Sequence, residues 1–431
     1  MAWPILSDSF ECIGNPCDFA NKPEESELFF VKRFFLSRVW VMLLLCTTGA
    51  DLQTFSQPVP NTTAEPRGIT IQNADSTVTM TVRFRMQTWL RYSSENPGYG
   101  NSHQTGNSSA DLTIRKLRLR FNGTLFNPLL SYLLQIELAP SDASGVYNYL
   151  RDAMVYWKFN PTLQVGVGRT KLPGERQYLI SSGSLEMADR SAVHHYLGLG
   201  RETGLHATWN ILTGSQGLTL RAAATTALPP QATAGIQRLP AVTGRLEYLP
   251  LGRFTGNGDT FEGDLLRERT PKLSVGAAAH AVGIEQRFTG LNSVTYVPES
   301  DRAYFADAVF KYSGFALYTE YAVRKQQHAM SENVLLDDLS TGYTVQVSYT
   351  TPWHGFVAAR FATVNTDAQN VLGETHKALH IETAAATVGC YINGHRIKTS
   401  LEVGSYKVNT LDISTQKPFP LYVLLNLETG I

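Results

Sequence analysis

Charge of one sign is missing from this 431-residue chain: 37 Lys plus Arg stand against 37 Asp plus Glu, and charged residues make up only 17% of it. The balance excludes a polybasic nucleic-acid binder, and a hydrophobic fraction of 43% excludes a disordered chain. Long apolar runs are missing too. None reaches the roughly 18 residues that a membrane helix needs, which excludes a helical membrane bundle. There is no Walker loop, no dinucleotide fingerprint, no helical repeat and no low-complexity tract. Cysteine is scarce, four in all, at positions 12, 17, 46 and 390. Glycine, at 34, and aromatics, at 10%, are plentiful and fit a chain of many strands and turns. What remains is a large β-protein, either a soluble sandwich or a membrane barrel. A barrel of this length folds as one unit.

Residues 31–50 read VKRFFLSRVWVMLLLCTTGA. Lys32, Arg33 and Arg38 form a positive region, Val39 to Cys46 an apolar core, and Thr48 and Ala50 the small residues of a cleavage site. That is the layout of a Sec-type signal peptide, and its core is too short to span a bilayer. Signals begin at the N-terminus, so residues 1–30, which lack periodicity, read as a non-native upstream extension with translation starting near Val31. Cleavage after Ala50 removes Cys12, Cys17 and Cys46, and the remaining Cys390 supports neither a disulfide nor a zinc site. The mature chain then carries 33 basic against 31 acidic side chains, so bulk charge says nothing about cargo.

Residues 51–75 are rich in Pro, Thr and Gln and read as a periplasmic N-terminal lead-in, with the barrel running over 76–431. In TVTMTVRFRMQTWLRY, Val78, Met80, Val82, Phe84, Met86 and Leu90 share one face, opposite Arg83, Arg85, Gln87 and Arg91. RKLRLRFNG sets Leu117, Leu119 and Phe121 against Lys116, Arg118 and Arg120, and LLSYLLQIEL repeats the alternation. Soluble strands run about five or six residues, whereas a tilted membrane strand needs about 9–11. Sixteen such runs can be counted between residues 76 and 428. Short turns at Ser313-Gly314 and Asn393-Gly394 alternate with longer polar segments at 92–110, 252–271 and 325–340. Short turns at one end and long loops at the other suit an outer-membrane barrel. A secreted β-sandwich binding module is the alternative. It would leave Arg83, Arg85, Arg118 and Arg120 as a solvated outer face, since they cannot fill a core unpaired.

Three segments go further: RKLRLRFNGTLFNPLLSYLLQIEL; LRDAMVYWKFNPTLQVGVGRTKLPGERQYLISSGSLEMADRSAV with GRETGLHATW; and GRLEYLPLGRF with GDTFEGDLLRERTPKLSVGAA and YINGHRIKTSLEVGSY. In order and spacing the chain resembles the phosphate-selective porin O and P family, in the form common in Bacteroidetes, over roughly residues 70 to 428. The resemblance implies an all-β fold: a 16-stranded antiparallel transmembrane β-barrel, trimeric, in the outer membrane of a Gram-negative bacterium. It also implies a third extracellular loop, Pro173 to about Ala192 here, folded inward as a constriction. The function implied is passive diffusion of small hydrophilic solutes, with inorganic phosphate or other small anions as cargo and no cofactor or metal. A general non-selective porin is the runner-up. The family's anion path maps onto Arg83 or Arg85, Arg118 or Arg120, Ser181 with Ser182, and Arg190, and Lys116 joins it as part of the same basic strand face. Guanidinium forks match oxyanion geometry, and a low-dielectric lumen strengthens their pull.

The sequence departs from the family in two places. Tyr178 stands where phosphate-selective relatives carry a lysine, and LYVLLNLETGI ends in Ile431 rather than an aromatic residue. Glu175, Glu186 and Asp189 add negative charge to the same loop. His194 and His195, read as strand neighbours, point to opposite sides and share no metal; His395 in its Asn-Gly-His turn reads as structural. Ser181-Ser182-Gly183 is not a nucleophile elbow, and no general base can be located by spacing, so the chain is not read as an enzyme.

Overall fold

The computed structural model describes residues 68–75, 77–94, 108–139, 149–226, 237–238, 241–289, 294–331, 334–368, 377–410 and 421–431. The upstream extension, the signal segment, most of the lead-in and most of 92–110 lie outside them. Eighteen strands run in chain order: β1 (Ile69–Gln72), β2 (Thr79–Ser93), β3 (Ser109–Leu125), β4 (Asn127–Glu137), β5 (Leu150–Lys158), β6 (Leu163–Lys171), β7 (Arg201–Leu212), β8 (Gly217–Thr225), β9 (Gln237–Arg238), β10 (Ala241–Leu249), β11 (Lys272–Thr289), β12 (Val294–Tyr312), β13 (Phe315–Ser331), β14 (Val334–Thr350), β15 (Gly355–Ala368), β16 (Lys377–His395), β17 (Ile397–Thr410) and β18 (Leu421–Gly430). Sixteen of them, all but β1 and β9, pair antiparallel with their neighbours in sequence, β8 pairing directly with β10. The ring closes where β18 meets β2, from Tyr422↔Ser93 to Gly430↔Arg85. The 16-stranded antiparallel barrel expected from the sequence is therefore the fold. Closure leaves no unpaired sheet edge facing lipid. β1 occupies the same edge of β2 beyond the end of β18, pairing Ile69↔Val82 through Gln72↔Thr79.

The two-residue period decides which face is which. In β12, Tyr304 and Tyr312 are exposed while Ala303, Phe305, Asp307, Val309 and Lys311 are buried. The exposed set elsewhere is apolar (Val155, Trp157, Val167, Leu205, Trp209, Tyr321, Tyr343, Val345, Val347, Tyr349, Val357), and much of the buried set is polar. This is inside-out relative to a soluble sandwich and suits a wall that meets lipid. The lumen is nonetheless partly apolar. Ala223, Ala278, Ala303, Ala322 and Ala362 line one sector, and Leu172, Ala192, Val193, Leu197 and Leu199 of the segment between β6 and β7 pack against them. Small residues on the wall leave room for a folded-in loop.

Hairpin parity puts the β6–β7 segment and the 332–333 connection at one end, and the turns at Ser313-Gly314, 351–354 and Asn393-Gly394 at the other. Two expectations are corrected here. Segment 325–340 is no loop: β13 and β14 carry it as a hairpin. Polar residues on both faces hide a strand once it rises clear of the apolar belt. Segment 250–271 is long, yet it joins β10 to β11 at the short-turn end, which is periplasmic in outer-membrane barrels. It turns through left-handed Gly256 and Asn257, both at φ 57°. Gly258, Phe261, Glu262, Asp264 and Glu268 are then buried in the lumen.

Candidate functional site

The β6–β7 segment crosses the lumen as the inward-folded loop. Its neck closes where Leu172 N–H donates to Gly200 O at 3.1 Å. It then contains a helical turn at Arg176–Leu179, a 3₁₀ turn at Ser182–Ser184 and a short helix at Ala192–Leu197 capped by Ser191. His194 and His195 therefore sit on a helix, not a strand; the Ser191 cap overrides the alternation that suggested otherwise. Among the described residues, no group of three or more His, Cys, Asp or Glu could hold a metal ion.

Polar contacts moor the loop to opposite walls. On one side Arg176 enters a buried cluster, its Nε bonded to Asp307, its Nη2 to Ser274 Oγ at 2.7 Å, and its backbone N–H to Glu320 at 2.7 Å. Arg245 holds the same Asp307 at 2.7 Å. On the other side, Arg85 Nη1 and Arg118 Nη1 each donate to Ser182 Oγ at 2.7 Å. Gln87 Nε2 donates to Ala188 O at 3.0 Å, Glu402 accepts from Ala188 N–H at 2.8 Å, and Arg360 Nη1 donates to Asp189 O at 2.8 Å.

The basic faces of β2 and β3 meet behind the loop, where Arg83 faces Arg120, Arg85 faces Arg118 and Gln87 faces Lys116. Like charges opposite one another are costly unless countered. Glu428 answers Arg85 at 2.7 Å, and Glu137 answers Arg118. Arg83 and Arg120 also have partners. Between wall and loop lies a cavity of about 100 Å³ lined by Arg115, Lys116, Arg118, Arg151 and Arg190, with Tyr178, His194 and His195, against two carboxylates, Glu137 and Asp189. Cations outnumber anions by three there with both histidines neutral.

Of the residues singled out from sequence, Lys116, Arg118 and Arg190 line this cavity, and Arg85 and Ser182 join behind it. Arg83 and Arg120 pair further along β2 and β3. Ser181 is exposed, and its side chain caps the 3₁₀ turn by accepting from Gly183 N–H. Arg190 is held by the carbonyls of Gln177 and Ile180, both at 2.9 Å.

Four cations were missed: Arg115, Arg151, Lys171 and Arg201. For two the reason is a β-bulge. The register jumps past Arg115 on β3 and past Arg151 on β5, so both turn toward the lumen although strict alternation assigns them to lipid. Lys171 Nζ, Arg190 and Arg201 lie 5.2, 5.4 and 5.3 Å from the centre of the Tyr178 ring, and Arg201 Nη1 donates to its hydroxyl at 2.7 Å. Tyr178 thus gathers cations around its ring and phenol oxygen.

Loop groups titrate in this field. Burial acts to raise the Asp189 carboxyl, but Lys116 and Arg115 hold it well below the usual carboxylate range. Burial pushes Glu175 up to about 7, opposed by the Leu199 N–H bond, and drives His194, 2.8 Å from Glu175, well below its ordinary value.

Comparison with known proteins agrees with this architecture. No curated protein matches the chain. Among solved structures, the outer-membrane channel DcaP of Acinetobacter baumannii aligns with a TM-score of 0.57 at 13% identity, over 85% of this chain and 100% of that one. An anion-selective porin from Comamonas acidovorans gives 0.52 at 13%, over 82% and 100%. Salmonella typhi OmpF in complex with daunomycin gives 0.51 at 14%, over 84% and 100%. At these identities the likeness concerns the fold. The sequence profile for phosphate-selective porin O and P matches residues 86–381. The chain therefore belongs to the phosphate-selective porin O and P family and is an outer-membrane porin.

Proposed function

We propose that this porin passes small hydrophilic solutes with a preference for anions, set where the inward loop faces the basic wall. One observation carries the reading: the cavity of about 100 Å³ has five cationic side chains against two carboxylates. In a narrow, low-dielectric passage such an excess draws anions in and turns cations back. Lys116, Arg118, Arg190, Arg115 and Arg151 act as the selective ring, with Arg83, Arg85 and Arg120 continuing the basic wall. Ser182 steadies Arg85 and Arg118, and Ser181 offers a hydroxyl from the loop surface. The similarity to an anion-selective porin from Comamonas acidovorans supports the same direction. Phosphate is the cargo that the family suggests, and a homotrimer its assembly, which cross-linking and unheated gel electrophoresis test.

Reversal potentials across a planar bilayer in a KCl gradient, with phosphate titrated in, test the reading. Among the described residues, Lys116 Nζ makes no hydrogen bond, and its carboxylate partner, Asp189, is 3.8 Å away. Lys116→Gln with Arg151→Gln should therefore lower anion selectivity without unseating the loop. Unchanged reversal potentials would leave a general porin whose arginines are only wall.

A further inference from the structure

Segment 250–271 enters the lumen from the turn end and meets the inward loop, which comes from the other end. Glu262 is the joint. Its carboxylate accepts from Gln177 Nε2 and Glu186 N–H, both at 2.9 Å, and from Gln346 Nε2 at 3.1 Å, while its N–H donates to Ser184 O at 3.1 Å. Beside it sits Glu186, fully buried, with one carboxylate oxygen that has no hydrogen-bond partner among the described residues. The other oxygen is 3.5 Å from the Gln346 amide nitrogen that also serves Glu262. The contact is close: a Cβ added to Gly263 would lie 2.0 Å from Glu186 Oε1.

We propose that Glu186 and Glu262 form a proton-operated latch between the two inward segments. With Glu186 protonated the segments stay joined. With both carboxylates charged they repel and release residues 182–190, which carry Ser182, Asp189 and Arg190. This inference rests on the pore reading above and adds a regulator to it.

The groups facing the pair explain why a proton is needed. From β12, Lys311 spends its ammonium on the carbonyls of Gly258, Phe261 and Gly263, at 2.5 to 2.9 Å. From β17, Lys398 bonds Leu185 O and sits 3.3 Å from Glu428. From β14 come Gln346 and Ser348, which are neutral. From β16 come Tyr391 and His395, and His395 stacks on Phe261 at 4.8 Å and reaches Gly183 O at 3.2 Å. Within the 250–271 segment, Asp264 accepts from Glu268 N–H and Gly314 N–H, and Glu268 from Thr255. Asp259 is the remaining carboxylate there. Among the described residues, no cation forms an ion pair with Glu186, and Lys311 and Lys398 act on it only through space. A buried carboxylate in that position favours its neutral form. Burial lifts Glu186 to about 7, helped by the Glu262 charge and opposed by a hydrogen bond from Ser348 and by the charges of Lys311 and Lys398.

The sign follows. Glu186 holds its proton below about pH 7, so the latch is shut in acid and loosens as pH rises through that value. Single-channel conductance and reversal potential, recorded from pH 5.5 to 8.5 on the full chain in planar bilayers, test it. Conductance should rise by about twofold with a midpoint near 7, and anion preference should fall with it. Glu186→Gln should hold the low-conductance state throughout. Should that variant fail to insert, Glu262→Gln removes the facing charge and should abolish the step or shift it to lower pH. Glu175→Gln, a carboxyl raised to the same range but away from the joint, should keep the step. A flat wild-type profile, or a step surviving both joint variants, overturns the latch while leaving the pore reading intact. Absence of any channel at every pH overturns the pore reading, and the latch with it.

Discussion

Arg115 reaches Asp189 at 3.1 Å because β3 bulges at Arg115 itself. Without the extra residue, alternation would send this guanidinium into lipid. The bulge instead sets Arg115 and Lys116 side by side against one loop carboxylate, Lys116 at 3.8 Å. Asp189 therefore does two things: it fixes the loop to the wall and it cancels part of the wall's charge.

The second role is open to test. Asp189→Asn keeps the side-chain shape and removes one negative charge from the cavity. At an effective dielectric near 20, a unit charge some 8 Å from a permeating ion is worth about 2 kcal/mol, so the anion-over-cation permeability ratio should rise by about tenfold or more. Reversal potentials check this. A fall in the ratio would mean that the loop has left its seat and that the mooring dominates.

Ser182 has the opposite character: it brings no charge yet holds two. Its Oγ accepts from both Arg85 and Arg118, which face each other in register. Ser182→Ala should remove two charge-assisted bonds, about 1.5–3 kcal/mol each at most, and let the guanidiniums move apart. The heat-induced gel shift should come at lower temperature and channel noise should increase, while Ser182→Thr, which keeps the hydroxyl, should restore both. An unaltered Ala variant would make the bridge incidental.

The barrel was legible because its signal is redundant. Sixteen strands each repeat one two-residue pattern, and the basic faces at Arg83–Arg85 and Lys116–Arg120 belong to it. The misread features break or lack periodicity. The bulges at Arg115 and Arg151 invert the alternation for single residues. The helix at Ala192–Leu197 is too short to outweigh a strand reading. Segment 250–271 looks like a surface loop because loop chemistry is the same at either end of a barrel; only the parity of every preceding hairpin assigns it to the turn end. Its burial rests on Glu262 meeting Gln177 and Gln346, a contact between distant segments that no local pattern encodes.

Glu175 provides a pH prediction independent of conduction. Its carboxyl, 1% exposed, is raised to about 7 by burial, against an ordinary value near 4.3 in an unfolded chain. As pH rises from about 4.3 toward 7 the unfolded chain gives up this proton first, so the group's contribution to stability falls across that window and levels above it, by up to roughly 3 kcal/mol. Glu175→Gln retains an acceptor for Leu199 N–H and a partner for His194. The difference between wild-type and variant melting temperatures in detergent should favour wild type, or be nil, at pH 5 and favour the variant at pH 8. A difference constant with pH would mean that Glu175 is charged throughout.

The lumen alanines give the last test. Ala362 is fully buried on β15, beneath the loop residues Val193 and Leu197. Of its two neighbours in register, Thr344 is also fully buried and Thr383 half-buried, so the wall has little slack. Ala362→Leu adds volume that close-packed surroundings can accept only by moving, at a cost of about 1–3 kcal/mol. The strand is tied on both sides by ladder hydrogen bonds, whereas the short helix rests on side chains, so the helix gives way. Moving off this sector carries it toward the basic wall and narrows the passage. Conductance should drop while the sign of selectivity stays the same, and Ala362→Ser, nearly isosteric, should behave as wild type. A Leu variant with larger conductance would mean that the helix is expelled from the lumen instead of shifted within it, which would make the alanine sector the principal seat of the loop.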